Sequence, residues 1–266
     1  MRVRVMRRSD LRGPAYRRRG LCCSARAYPS SLRWVTRLLV TIGLFCPPPA
    51  FAARPFITDD ARVVDAHACQ LESWARLDHD GNEYWALPGC NFTGNLEVTA
   101  GGAWFSDEGQ RGNANVLLQF QLKTLVRSLQ PNSYGWGLVA GGVLNAAAHP
   151  DRELLGNFYL YLPLTISFFS DRLLSHTNIG VRYDRGPHTA HFTWGMAGEY
   201  ALSSRLWVLA EVFGSHDETP LGQGGLRVWL VPQRIQLDGT YGRQFTQGHE
   251  SEWFSVGLRF LSPTLW

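Results

Sequence analysis

Charge is scarce in this 266-residue sequence at 18%, and methionine and cysteine are scarcer still, with three and five. It contains no run of about 20 apolar residues, which excludes a bundle of membrane-spanning helices. No stretch sustains a helical period, which speaks against an all-α fold. Against these absences stand 10 Trp, 9 Tyr, 14 Phe and 27 Gly. So many aromatics on so little charge do not fit a disordered or collagen-like chain.

Lysine is missing in an uneven way. Residues 1–52 hold 11 Arg, no Lys and one acid, Asp10, a net of +10. The remainder holds 14 Arg and a single lysine, Lys123, against 21 acids, a net of −6. The formal +4 therefore comes entirely from the first fifth of the chain, and it gives no reason to expect a nucleic-acid partner. That fifth (1–52) reads as a secretory signal peptide. A basic stretch ends at Arg33 and Arg37, an apolar core runs from Leu38 to Cys46, and Ala50-Phe51-Ala52 offers small residues at a cleavage site. The core is too short to span a bilayer. Gly43-Leu44-Phe45-Cys46 lacks the small residues needed for lipoprotein processing. The long basic stretch also fits a start codon placed too far upstream, and a cytosolic protein with a basic N-terminus is the competing reading.

Beyond the leader, the sequence predicts one all-β domain. Val116, Leu118, Phe120 and Leu122 alternate with Gln119, Gln121 and Lys123. Phe158, Leu160, Leu162, Leu164, Ile166 and Phe168 alternate with Tyr159, Tyr161, Thr165 and Ser167, and similar patterns surround Phe192–Tyr200 and Phe254–Phe260. Successive strand side chains point to opposite faces, so each segment has an apolar and a polar face. The pattern predicts about 12 strands, with 10 to 14 in range, and connections that are mostly short and longer by turns. Short ones fall near 91–95, 128–134, 170–172, 203–204 and 232–234. The others fall near 78–81, 106–114, 148–155, 184–189, 214–224 and 244–252.

Polar faces that also carry Tyr159, Tyr161, Trp207, Trp229 and Trp253 fit a lumen behind a lipid-facing surface. The expected architecture is a transmembrane antiparallel up-and-down β-barrel over 68–266 in the bacterial outer membrane, which implies a Gram-negative source. Residues 53–67 form a segment that is either periplasmic or tucked into the lumen. Lipid would surround the barrel, and a terminal aromatic, Trp266, after an alternating strand is the kind of signal that outer-membrane assembly machinery reads.

The face pattern assigns a lumen lining. It comprises Gln119, Gln121, Lys123, Tyr159, Tyr161, His176, Asn178, Arg182, His191 and Glu199. Over the last four strands it continues with Arg205, Trp207, Glu211, Arg227, Trp229, Gln236, Asp238, Trp253 and Arg259. Mixed signs of charge on this face argue against a simple anion or cation pore. Either the lining surrounds a passage for small solutes or its groups satisfy one another and fill a narrow barrel.

Cys69 and Cys90 remain after the leader, and an even number in an exported chain points to a disulfide. If Leu77 faces Asn82, constant register sets Trp74 against Trp85 and Cys69 against Cys90; two free buried thiols are the alternative. Five of the eight histidines (His79, His149, His188, His216, His249) fall in expected outer loops. Solvated histidines explain this more simply than a metal rim, so no metal and no cofactor is expected. Ser175 and His176 lie on opposite strand faces and cannot pair directly. His176, Asp184 and Glu199 could still converge from different strands, but no motif marks an enzyme.

The stretches Ala53-Arg54-Pro55-Phe56-Ile57-Thr58-Asp59-Asp60-Ala61, Glu83-Tyr84-Trp85-Ala86-Leu87-Pro88 and Trp253-Phe254-Ser255-Val256-Gly257-Leu258-Arg259 carry a resemblance. The chain resembles a group of outer-membrane barrels loosely similar to the channel family associated with the meta-pathway of phenol degradation. The resemblance implies a transporter-like barrel for small molecules, aromatic or hydrophobic compounds among them, and brings no catalytic motif. The expected function is a passive channel. The alternatives are a non-conducting structural or adhesive barrel and, behind that, a lipid-modifying barrel enzyme.

Overall fold

The computed structural model describes residues 56–78, 81–107, 115–145, 155–185, 187–245 and 252–266. The expected leader at 1–52 and the loop residues His79, His149 and His249 lie outside the described residues. Twelve strands follow one another: β1 (Cys69–Asp78), β2 (Gly81–Asn91), β3 (Leu96–Asp107), β4 (Asn115–Arg127), β5 (Tyr134–Asn145) and β6 (Leu155–Phe168). They continue as β7 (Leu173–Asp184), β8 (Thr189–Ala201), β9 (Leu206–Ser215), β10 (Leu221–Val231), β11 (Ile235–Gln244) and β12 (Glu252–Leu261). Each pairs antiparallel with its sequence neighbours, and β1 closes the barrel on β12. Closure leaves no edge strand with unpaired backbone groups, a requirement for sheet in contact with hydrocarbon.

The alternation sets which side chains face out. Leu118, Phe120, Phe158, Leu160, Phe192, Phe254 and Val256 are exposed on the outer surface, whereas Lys123, Thr165, His176, Glu199, Arg227 and Arg259 are buried inside. A soluble barrel would reverse this arrangement. Between β1 and β2, Leu77 faces Asn82, Trp74 faces Trp85 and Cys69 faces Cys90, and the two cysteines form a disulfide.

The alternation of connection lengths is imperfect. Only two residues separate β1 from β2 at the end where the longer loops gather, whereas the β4–β5 connection at the other end spans 128–133. Two features explain the blurred pattern near residues 86–102. Pro88 has no N–H for the ladder, and the β2–β3 pairing passes from Ala86↔Gly102 to Gly89↔Thr99 around it. A Cβ on Gly101 would lie 2.1 Å from the Ala86 carbonyl oxygen, and one on Gly102 equally close to that of Leu117, so both glycines permit close strand approach.

Candidate functional site: the barrel lumen

Eighteen of the nineteen residues assigned to the lumen lining from the face pattern lie in strands with side chains buried or half-buried inside. Arg205 is the exception. The pattern extended β9 one residue too far, whereas Leu206 begins the strand and Arg205 sits exposed in the β8–β9 turn. That turn is closed by Leu202 and Ser203 N–H groups donating to the Leu206 carbonyl and by the Ser203 hydroxyl, which accepts from the Leu206 N–H at 3.1 Å.

The lumen is not empty, because residues 56–67 run through it. The Glu211 carboxylate accepts from the Ile57 and Thr58 N–H groups, both at 2.8 Å. The Ala61 N–H donates to the Thr165 hydroxyl (2.8 Å), and the Val64 N–H donates to Glu97 (2.7 Å). The Asn178 amide brackets the Asp59 peptide, its NH2 donating to the carbonyl (2.9 Å) and its oxygen accepting from the N–H (2.7 Å); this orientation follows from the surrounding donors and acceptors. Buried backbone polar groups must find partners, and here the barrel wall supplies them. Gly195 makes the fit possible, since a Cβ there would lie 2.4 Å from the Thr58 hydroxyl oxygen. The segment leaves the lumen at the short-turn end, where the His67 N–H donates to the Asn91 carbonyl.

One group of contacts ties the segment to β4 and β6. Lys123, 3% exposed, places its ammonium 2.7 Å from an Asp59 carboxylate oxygen and 3.2 Å from one of Asp60. The other Asp59 oxygen accepts from the Tyr161 hydroxyl at 3.0 Å. Gln121 accepts from the Tyr159 hydroxyl (3.0 Å), and Gln119 donates to that same hydroxyl (3.0 Å). The only lysine after the leader thus meets two carboxylates in a place where an unpaired ammonium would be costly.

Beneath the segment the lumen is filled. Leu174, Trp207 and Trp229 form a buried cluster. Arg227 pairs with Glu199, whose other oxygen lies 3.4 Å from His176 Nε2, and His176 Nδ1 lies 2.9 Å from the Thr165 hydroxyl. Thr165, His176 and Glu199 therefore form a hydroxyl–imidazole–carboxylate chain. Its hydroxyl is fully buried and already accepts from Ala61, so the chain acts as a tie between wall and segment. In the wall of the open part of the lumen, Arg259 donates to Gln70 (2.9 Å) and pairs with Glu72 (3.4 Å).

On the other side of the segment a cavity of about 540 Å³ opens. Phe56–Asp59 and Arg62 contribute to it, and Trp74, Trp85, Gln119, Gln121, Tyr159 and Tyr161 line its walls. Trp74 stacks on Trp85 at 5.1 Å between centroids, and Tyr159 stacks on Tyr161 at 5.9 Å. Gly141 gives the Tyr159 ring its place, because a Cβ there would overlap it at 2.3 Å. The cavity's ionisable carboxylates are Asp59, Glu72, Glu97 and Glu218 and its strong bases Arg62, Lys123, Arg182 and Arg259. With four of each, the wall carries no net formal charge.

At the longer-loop rim, His191 Nδ1 lies 2.6 Å from Asp217 and its Nε2 3.6 Å from Asp184, while His216 Nδ1 lies 3.5 Å from the other Asp217 oxygen. Glu218 accepts from the Ser215 hydroxyl (2.5 Å) and pairs with Arg182 (3.3 Å); the hydroxyl first and the guanidinium second hold its carboxyl below the usual carboxylate range. Among the described residues, no three His, Cys, Asp or Glu are arranged to hold a metal ion. At the opposite end, Trp266 lies five residues past β12, stacks on Phe92 (5.6 Å) and meets His67 edge-on (5.9 Å).

Several residues of the lumen escape the face pattern. Glu72 and Trp74 lie in β1, and Trp85 and Glu97 lie in β2 and β3, where Pro88 and the paired glycines blur the alternation. Asp59, Asp60 and Arg62 lie outside any strand. A lone lysine on a lumen face was the available signal, since it demands a buried carboxylate from somewhere.

The profile of a protein family described as "Uncharacterised conserved protein UCP029691" matches residues 40–260. No curated protein matches the sequence. Among solved structures, the chain is similar to the KdgM porin in complex with disordered oligogalacturonate, with 9% identity, a TM-score of 0.56, and coverage of 72% of this chain and 98% of that one. It is similar to the COG4313 outer membrane channel from Pseudomonas putida F1, with 11% identity, a TM-score of 0.52, and coverage of 76% and 97%. It is also similar to the NanC porin, with 10% identity, a TM-score of 0.51, and coverage of 73% and 99%. At these identities the likeness is one of fold.

Proposed function

The chain belongs to the family of uncharacterised conserved protein UCP029691, and from that premise we propose that it is an outer-membrane channel for passive passage of small molecules. Aromatic or hydrophobic compounds are the finer assignment. The observation that carries this reading is the aromatic-walled cavity of about 540 Å³ inside a closed barrel whose outer surface is apolar. Burying that outer surface in lipid removes apolar area from water, at roughly 25 cal/mol for each Å². Stacked tryptophan and tyrosine pairs offer flat apolar walls to a planar solute, and the glutamines and phenols beside them offer hydrogen bonds.

In this reading the leader at 1–52 directs export and is removed, and Trp266 with β12 is presented to the assembly machinery. The chain carries out no chemistry. Passage requires residues 56–66 and the side chains packed beneath them to move, because together they close the lumen below the cavity. The filled section also favours a second reading, a barrel that never conducts.

Planar-bilayer recording of refolded residues 53–266 separates the two. The channel reading expects discrete conductance steps, with occupancy that changes when a small aromatic solute is added. Silence at every voltage and salt concentration, from protein that shows the heat-shifted gel migration of a folded barrel, overturns it in favour of the non-conducting barrel.

A further inference from the structure

We infer that Lys123, Tyr161 and the adjoining aromatic wall form a binding site for a small carboxylate with a planar apolar body, and that Asp59 occupies this site as a tethered substitute. The inference rests on the channel reading for its biological meaning, though the site itself stands on its own geometry.

The Asp59 carboxylate is held as a ligand would be. One oxygen takes the Lys123 ammonium at 2.7 Å, and the other takes the Tyr161 hydroxyl at 3.0 Å. All three residues line the cavity, so the carboxylate meets an open space as well as its anchors. The stacked Tyr159–Tyr161 pair stands in the wall beside it, in reach of a flat group that a free carboxylate would carry.

Charge explains why a free anion must replace Asp59 and cannot simply join it. Lys123 already faces Asp59 and Asp60, and Glu97 sits opposite it across the β3–β4 pair. Asp59 and Asp60 already occupy the Lys123 ammonium at 2.7 and 3.2 Å, so a further carboxylate gains that ammonium only as Asp59 leaves. The tether makes Asp59 a strong competitor, with an effective concentration on the order of millimolar. A solute that displaces it also removes one of the contacts holding residues 56–66 in the lumen, which would couple solute binding to release of the segment.

Titration calorimetry on the detergent-solubilised barrel, with benzoate and the neutral isostere benzamide as probes, tests this directly. The Asp59→Asn variant should bind benzoate at least about tenfold more tightly than the unaltered chain, because its tethered competitor is gone. Adding Tyr161→Phe to Asp59→Asn should take back much of that gain, and adding Lys123→Gln should abolish it. Lys123→Arg in the same background keeps the charge and should retain binding. Benzamide should show none of these dependences.

Equal benzoate affinity in the unaltered and Asp59→Asn proteins overturns the inference, as does a gain that survives Tyr161→Phe in full or is matched by benzamide. Should Lys123→Gln fail to fold, the Tyr161→Phe and Lys123→Arg comparisons still decide. The readout is binding, not current. A barrel that conducts without binding benzoate ends this inference alone, and one that binds benzoate without conducting ends only the channel reading.

Discussion

The two sections of the lumen are built from the same residue types and come out differently. On the cavity side, Trp74, Trp85, Tyr159, Tyr161, Gln119 and Gln121 remain half-buried around open space. On the filled side, Trp207, Trp229, His176, Glu199, Arg227 and Gln236 are buried against one another. Polarity does not distinguish them, since both mix aromatics with hydrogen-bonding groups. The difference lies in where the tall inward side chains converge. Leu174, Trp207 and Trp229 meet in one cluster, with Leu129, Ala201 and Leu261 packed against it. An alternating strand pattern specifies a face, but it does not specify whether facing side chains touch across the barrel.

The sharpest way to break the comparison is to place a cysteine in each section, in a background where Cys69 and Cys90 stay paired. Gln121→Cys should react with a water-soluble maleimide faster than Gln236→Cys by roughly two orders of magnitude or more, since a packed site must open before it reacts. Equal rates would mean that the two sections are alike.

Stability comes next. Glu199→Gln removes the carboxylate partner of buried Arg227 and should cost about 3–5 kcal/mol in urea unfolding from liposomes. The matched change Gln119→Ala on the cavity side should cost about 1 kcal/mol, since a half-buried neutral hydrogen bond contributes little. Equal losses would contradict the division. Replacing Cys69 and Cys90 together by serine should cost about 3 kcal/mol in the chain-entropy model, the disulfide closing a loop of 21 residues' separation.

The smallest effect concerns the rim. The Glu218 carboxyl is held below the usual carboxylate range, so its contribution to fixing the 216–220 loop is complete above that range and is lost as pH falls through its own lowered value. Its side chain is 48% exposed, so Glu218→Gln should cost no more than about 1 kcal/mol. The same change should flatten the dependence of loop protease sensitivity on acid pH. An unaltered pH profile in the variant would remove Glu218 from the account.

Much of the fold was legible because β-structure writes a period of two into the sequence. The register that sets Trp74 against Trp85 and Cys69 against Cys90 follows from counting outward from one turn, and the structure has that register. The lumen face of β4, β6, β7 and β8 follows from alternation alone. Arg205 shows the limit of that counting, since parity continues past the point where a turn hydrogen bond has ended the strand. The path of residues 56–67 was legible only as one of two options. An irregular segment has no periodicity, and its place is fixed by scattered wall partners such as Glu211, Thr165 and Glu97. An open space was likewise legible only as one of two options, because it depends on how side chains from facing strands meet.

The central claim is that a channel exists and that residues 56–66 hold it closed together with the side chains packed beneath them. Single-channel conductance of refolded residues 53–266, compared with the same barrel lacking 56–66, tests this most directly. The account predicts small or infrequent steps from the longer chain and several-fold larger, more persistent steps from the shorter one. Identical conductance, or silence from both when each migrates as a folded barrel, would contradict it.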